Sequence, residues 1–328
     1  MASKIVLIST GGTIASRFDV AAGRTLASQR GADLLAQVPQ LAAVGELEVD
    51  DFATVSSFDI SVGFAFALAQ RINRQLARED VTGVVVSHGT DTMEESCYLA
   101  DLLLASAKPA VFTGAQRPHD DPLPDGPKNL LSAARTAAAP AARDLGAVIC
   151  FADRLHAARD VTKVSTSALA TFQSPDKGAL GEVDGARVIL HRRLPPRRSF
   201  ALDALPALRV PLFRLTLGCD VGLIELALER GLDGLVIEAF GRGNGPAALV
   251  PVVARANGAG VPVVITSRCP SGRVEPIYGN GGGRDLADAG AIFAGDLKGP
   301  KARLLLMVLL AAAETRARLA EIIAEVAP

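Results

Sequence analysis

Two threonines stand just past two apolar runs, each directly behind a glycine. Lys4-Ile5-Val6-Leu7-Ile8-Ser9 leads into Thr10-Gly11-Gly12-Thr13, and Val84-Val85-Val86-Ser87-His88 leads into Gly89-Thr90-Asp91-Thr92-Met93-Glu94-Glu95. A hydroxyl at the end of a buried strand is a nucleophile in waiting, but a threonine needs activation before it attacks an amide. Paired glycines let the main chain turn sharply and approach a ligand closely. Read alone, the Thr13 segment is a tight strand–loop turn whose hydroxyl caps a backbone group, and it lacks the GxGxxG spacing of a dinucleotide site. The second segment carries more. Thr92 and Glu95 have the spacing of a capping box, which predicts a helix starting here, with N-terminal amides that favour a carboxylate. Capping leaves Thr90 and Asp91 unaccounted for, and an ionised Asp91 can hold a ligand ammonium. His88 reads as a satisfied structural histidine, because no second ligand stands at metal-binding spacing from it. Lys163, following Arg159-Asp160, reads by itself as a surface ion-pair partner.

Short β-branched runs alternate with longer Ala/Leu-rich stretches, the pattern of a parallel sheet covered by helices. Strands are predicted at 5–9, 84–88, 110–114, 147–151, 234–239 and 262–266, and helices at 93–106, 129–138 and 301–324. The runs are apolar without alternation, so these strands are buried on both faces. The fold class is α/β, with a larger N-terminal, mostly parallel sheet carrying helices on both faces and a smaller C-terminal α/β domain. Ligands of such sheets bind beyond the carboxyl ends of the strands, where Thr13 and Thr90 fall. Pro195, Pro196, Pro206 and Pro211, with four arginines between 192 and 198, mark a solvated linker. The expected division is 1–190, a linker at 191–211, and 212–328.

Composition narrows the function classes. Lys+Arg 34 against Asp+Glu 35, 4% aromatic residues and no Trp offer no basic, stacking surface for nucleic acid. The mean hydropathy of +0.29 comes from Ala, Val and Leu spread along the chain. The longest apolar stretch, residues 304–313 between Arg303 and Glu314, is too short for a bilayer, which needs roughly 20 residues. Cys97, Cys150, Cys219 and Cys269 form no CxxC or Cys/His ligand pattern, so neither a zinc site nor a redox motif is expected. The predicted first strand begins almost at Met1, leaving no room for a signal peptide, and a reducing cytoplasm is the expected setting.

Together, Ser9-Thr10-Gly11-Gly12-Thr13-Ile14-Ala15 and His88-Gly89-Thr90-Asp91-Thr92-Met93-Glu94-Glu95 resemble the two signature motifs of bacterial-type L-asparaginases. The segments Gly114-Ala115-Gln116-Arg117-Pro118, Asp125-Gly126-Pro127-Lys128-Asn129-Leu130 and Arg159-Asp160-Val161-Thr162-Lys163 are similar to family segments in the same order. So are Ala170-Thr171-Phe172, Ser267-Arg268-Cys269-Pro270-Ser271-Gly272 and Pro300-Lys301-Ala302-Arg303, which extends the likeness over essentially the whole chain. The resemblance implies hydrolysis of L-asparagine by a homotetramer of intimate dimers, acting on a small amide without cofactor or metal. It makes Thr13 the nucleophile of an acyl-enzyme and Lys163 the base for Thr90, with Asp91 completing that triad. A lysine can serve as such a base in a closed site. The amides of Thr90 and of the Gly12–Thr13 turn would hold the oxyanion, placing Gly12 and Gly89 at the substrate. The Ala115 carbonyl would accept from the departing nitrogen, Ser57 would bind the α-carboxylate, and Asn244 would reach a neighbouring subunit's site.

The chain departs from the family in three places. Members usually carry a tyrosine on a flexible lid after the nucleophile. Here residues 16–28 contain none, and Arg24 or Thr25 falls near that place. Phe58 follows Ser57 where the family commonly has a glutamine that contacts substrate. A phenyl ring can only pack there, either in the core with the main chain binding substrate, or at the cost of discrimination. The neighbour-subunit glutamate has no counterpart near Tyr278, and Glu275 and Tyr278 are the nearby candidates, Tyr278 as a substitute for the lid tyrosine. These departures keep two alternatives open: a relaxed hydrolase of D-asparagine, glutamine or another small amide, and a non-catalytic amino-acid sensor. An ammonia-supplying subunit of a tRNA-modifying complex is disfavoured, because no appended domain precedes Lys4.

Overall fold

The computed structural model describes residues 4–19, 23–27 and 30–327, which divide into two compact units, one up to Ala201 and one from Leu202 onward. The first unit begins with β1 (Lys4–Gly11), β2 (Ser16–Asp19), β3 (Arg24–Ala27), α1 (Gly31–Ala36), β4 (Glu46–Val55), α2 (Val62–Leu76) and β5 (Val81–Ser87). Next come α3 (Met93–Leu103), β6 (Ala110–Thr113), α4 (Gly126–Ala138), β7 (Ala147–Phe151) and β8 (Arg154–Ala157). The unit is completed by β9 (Thr162–Lys163), β10 (Phe172–Gln173), β11 (Gly181–Asp184) and β12 (Arg187–Leu190).

Among the described residues, eight of these strands form one sheet in the order β12-β11-β8-β7-β6-β5-β1-β4. The five from β4 to β7 run parallel. The apolar runs of β1 and β5 are covered on both faces, with Ile5–Ile8 and Val84–Val86 fully buried. The polar β4 at the sheet edge is not foreseen from sequence. One face packs Ile5, Leu7, Val85 and Val148 against Leu34 of α1 and Leu130, Ala133 and Ala137 of α4. The helices α2 and α3 pack against each other and against the same strands. The antiparallel edge of β8, β11 and β12 is not foreseen from sequence, because these strands are short and only half apolar.

β1 lies between β5 and β4, so the chain leaves it toward one side and returns on the other. The loops after β1 and β5 consequently diverge above adjacent strand ends, which opens the crevice that α/β sheets use for ligands. Thr10 Oγ1 donates to Ser87 O at 2.9 Å, tying those two ends together.

The second unit holds β13 (Leu212–Arg214), α5 (Gly222–Glu229), β14 (Leu235–Ala239), α6 (Leu249–Gly258), β15 (Val263–Ser267) and α7 (Gly283–Asp288). It ends with β16 (Ile292–Phe293), α8 (Gly299–Ala311) and α9 (Arg316–Val326), and its strands form a parallel sheet in sequence order. The single helix expected over 301–324 is thus two. Ala313 takes a left-handed φ of 53°, and the Thr315 side chain accepts from Arg318 N to start the last helix.

The arginine-rich stretch, just ahead of the division at Ala201, is tied to the first unit by side-chain bonds. Arg192 pairs with Asp160 at 3.0 Å, and Arg193 donates to the carbonyls of Arg143 and Ala141. Arg197 donates to Asp101 O, Leu104 O and Ser106 O at 2.9–3.0 Å, closing the C-terminus of α3. Its guanidinium also lies 3.9 Å from the Asp101 carboxylate, whose ionisation burial pushes up to about 6. The last carbonyls of a helix have no partner within it, and Arg197 supplies donors to those at the end of α3. Arg197→Met should lower unfolding free energy by about 2–4 kcal/mol in urea titrations. Asp101→Asn in the same background should recover part of the loss, because no buried carboxylate is then left unpaired.

Candidate active site

The contact that organises the site is between main chains. A Cβ on Gly12 would lie 2.4 Å from both Cα and N of Gly89, and Gly12 holds φ at +82°. A Cβ on Gly89 would lie 2.5 Å from Ser57 Oγ. Only glycine allows either approach. Thr13 and Thr90 each sit one residue, about 3.8 Å of chain, beyond this contact. Thr13 opens a single 3₁₀ turn, Thr13–Ala15, whose entry is closed by Ser16 Oγ donating to Gly12 O at 2.8 Å.

Ser57 is buried in its own 3₁₀ turn, Ser57–Asp59, and clamps the loop after β5. Its Oγ accepts from Asp91 N at 3.2 Å, and its carbonyl accepts from Thr92 Oγ1 at 2.7 Å. The predicted capping box is not formed from the Thr92 side: its hydroxyl accepts no bond from α3 and instead donates to Ser57 O, which holds it turned toward the Ser57 loop. With Oγ accepting from Asp91 N, the Ser57 hydroxyl proton is available to an anion. Phe58, next in the chain, is not in the core; its residue is 72% exposed.

Lys163 reaches the two residues that the motif placed side by side. Its Nζ donates to Thr90 Oγ1 at 2.9 Å and to Asp91 Oδ1 at 2.8 Å. The lysine side chain is 19% exposed and that of Asp91 is 54% exposed, so water reaches this pair from one side. β9 carries Lys163 in a two-stranded hairpin with β10 that stands apart from the main sheet. Glu94, on the first turn of α3, holds the hairpin by accepting from Lys163 N at 2.8 Å. Both acidic residues sit at the α3 N-terminus, where the helix dipole favours them.

Ala115 is buried at the end of β6, beside the same loops. Its neighbour Gln116 bridges three elements, a role that sequence spacing does not suggest. Its N donates to both oxygens of Asp125, its Oε1 accepts from Thr90 Oγ1 at 3.3 Å, and its Nε2 donates to Ala168 O at 3.2 Å. Asp125 also takes Arg117 N and Asn129 Nδ2, anchoring the loop before α4. Gln116 and Glu94 are visible as letters of the quoted segments, but nothing in one sequence shows that both reach the hairpin.

Asn244 belongs to the second unit, where its Oδ1 accepts from Gly283 N at 3.0 Å and its main chain bridges to Phe240. Tyr278, in the same unit, is about half exposed. Of the lid, β2 and β3 pair as a hairpin, while residues 20–22 and 28 and the side chains of Arg24 and Thr25 lie outside the described residues. The buried thiol of Cys150 is pushed up to about 12 by burial and is no competing nucleophile.

Two family models cover nearly the whole chain: "Asparaginase, N-terminal" at residues 4–196 and "Glutaminase/Asparaginase C-terminal domain" at 209–323. The chain belongs to the asparaginase family. It is 35% identical over 313 residues to an L-asparaginase of Bacillus licheniformis, covering 95% of this chain and 96% of the relative. A probable L-asparaginase of Deinococcus radiodurans is 39% identical over 312 residues, covering 94% and 92%. The crystal structure of a probable cytoplasmic L-asparaginase from Campylobacter jejuni superposes with a TM-score of 0.89 at 30% identity, covering 98% of this chain and 99% of that one. The protein is accordingly an amidohydrolase of the asparaginase type with the two-domain asparaginase fold.

His88 is the structural histidine of this asparaginase site. Gly89 O can only accept, so Nδ1 donates to it at 2.7 Å, and Nε2 then accepts from Ser96 Oγ at 3.0 Å. Complete burial lowers its pKa from 6.5 to about 4. Between these values the unfolded chain binds a proton that the native chain refuses, so stability is retained above pH 6.5 and lost as pH falls toward 4. Across that window the wild type should lose about 3 kcal/mol more than His88→Gln, measured by urea unfolding at a series of pH values.

Proposed function

We propose that this protein hydrolyses L-asparagine to L-aspartate and ammonia through a threonyl ester. The reading rests on the placement of Lys163 Nζ within hydrogen-bond reach of both Thr90 Oγ1 and Asp91 Oδ1, above the strand ends where Thr13 also emerges. In this reading Thr13 Oγ attacks the side-chain amide carbon, its proton passing to the departing nitrogen. The C–N bond breaks, ammonia leaves, and an ester to Thr13 remains. Water then adds to the ester, the C–O bond to Thr13 breaks, and the hydroxyl is restored. In that second step Thr90 takes a proton from the attacking water as its own passes to Lys163, and Asp91 holds the ammonium that results. The proton is then delivered to the Thr13 oxygen as the ester breaks. The N–H groups of Thr90 and of the Gly12–Thr13 turn face the developing oxyanion. Ser57 and the main chain at Gly89 receive the α-carboxylate, and the Ala115 carbonyl accepts from the amide nitrogen. Asn244 is assigned to a neighbouring subunit's site.

A relaxed small-amide hydrolase is the second reading, favoured by Phe58. An exposed phenyl ring supplies no hydrogen bond where a polar contact would enforce chirality or chain length. Ammonia release from L-asparagine, D-asparagine and L-glutamine separates the two. The first reading expects kcat/KM for L-asparagine to exceed the others by tenfold or more, with Thr13→Ala and Lys163→Met losing at least about 10³-fold. Equal values across the three amides would move the assignment to the relaxed hydrolase. Tight binding without turnover would leave only an amino-acid sensor. Tyr278→Phe in the same assay tests whether that phenol serves the site: unchanged kcat would remove it.

We further propose a cytoplasmic homotetramer. Among the described residues no helix is long and apolar enough to cross a membrane. Leu217 is 100% exposed, and Leu223 and Leu226 of α5 are 56% exposed, an apolar strip suited to burial between copies. Light scattering should return the mass of four chains, and a monomer would contradict the assembly.

A further inference from the structure

The hydrogen bonds around Thr90 have a direction that opposes the role assigned to Lys163. Ala168 O can only accept, so the amide NH₂ of Gln116 faces it and Oε1 faces Thr90. An amide oxygen also only accepts. Thr90 therefore spends its single proton on Gln116, and its oxygen receives the hydrogen bond from Lys163 Nζ. In this arrangement the lysine is a donor to the hydroxyl that it is meant to deprotonate.

From this we infer that Gln116 is a positioning residue that sets the polarity of the Thr90–Lys163 hydrogen bond, parking the hydroxyl proton until the lysine is neutral. The inference rests on the proposed hydrolysis. The proton transfers balance simply. The Lys163 ammonium, reached by water on its exposed side, releases one proton to solvent. The Thr90 O–H then turns from Gln116 Oε1 toward the freed lone pair on Nζ, and the O–H bond breaks as the N–H bond forms. Gln116 thereby favours the resting arrangement in which Nζ donates to Thr90, because a hydroxyl whose proton is already committed is a better acceptor.

Few other charges bear on this exchange. Asp91 faces Nζ from the loop after β5, and Glu94 binds Lys163 N from α3. Asp125 and Arg117 lie behind Gln116 and engage its loop through main-chain bonds. The hairpin between Val164 and Gln173 contributes no ionisable side chain. The Ala168 contact makes the device two-ended, since the same amide that orients Thr90 also grips the hairpin carrying Lys163.

The test is the pH profile of kcat/KM for ammonia release by the full-length enzyme. Gln116→Leu cannot accept from Thr90, and its acidic limb should move to lower pH. Gln116→Glu keeps an acceptor and adds a negative charge, and its acidic limb should move to higher pH. KM should change less than kcat in both. Gln116→Met is carried in parallel as a variant of matching length in case the leucine disturbs the loop, and it should shift as leucine does. A residue that merely holds the loop would lower activity in all three with the limb unmoved, and that outcome overturns the inference. So does a shift in the same direction for leucine and glutamate, or failure of all three to fold. If Lys163→Met retains activity, the hydrolytic reading itself falls. If Lys163→Met is inactive while the Gln116 limb stays fixed, only the role of Gln116 is lost.

Discussion

Everything at the site depends on two main chains passing closer than side chains permit. Gly12 and Gly89 touch above the ends of β1 and β5, and a methyl group on Gly12 would collide with Gly89 Cα. The order of strands makes this contact possible, because β1 and β5 are neighbours at the point where the chain changes sides. The hydrogen bond from Thr10 to Ser87 O fixes the relative height of the two strand ends. Two residues with ordinary hydroxyls are thereby held at the mouth of one crevice, on loops with little freedom to separate.

The third participant comes from elsewhere. Lys163 rides on a hairpin outside the main sheet, and its placement is enforced at both ends. Glu94 binds its backbone N–H at the base, and Gln116 binds Ala168 O at the tip. Glu94 is fixed because α3 is fixed, and α3 is closed at its far end by Arg197. A chain of polar contacts thus runs from the arginine-rich stretch through one helix to the backbone N–H of Lys163. Each link satisfies a backbone group that would otherwise be stranded at a helix end or hairpin edge.

Several features are legible in the sequence for a physical reason. Apolar runs such as Val84-Val85-Val86 can be stable only with both faces covered, which gives a parallel sheet and puts the loop leaving each strand at its ligand-binding end. The Thr92 half of the capping box is absent because local spacing shows what Thr92 can bond, not that a distant carbonyl, Ser57 O, takes its proton and turns the hydroxyl away from the helix. The arginines near residue 195 suggest a solvated linker because prolines exclude a sheet, and nothing local shows carbonyls waiting at the end of α3. Residues 154–190 give little warning of their strands, because short antiparallel strands carry too few apolar positions to signal themselves.

The sequence by itself determined the α/β class, the glycines that permit close approach, the family membership and the identity of the hydroxyl, carboxylate and amine groups. It did so because burial, backbone freedom and chemical type are properties of single residues and short runs. Tertiary structure alone decided which groups meet. Lys163 and Thr90 are separated by 73 positions, and Gln116 and Ala168 by 52. Their hydrogen bonds have geometry and direction, and both are fixed only when the sheet, α3 and the hairpin have set donor and acceptor at one distance. The direction of the proton on Thr90 is the clearest case, since it depends on the inability of a carbonyl at Ala168 to donate.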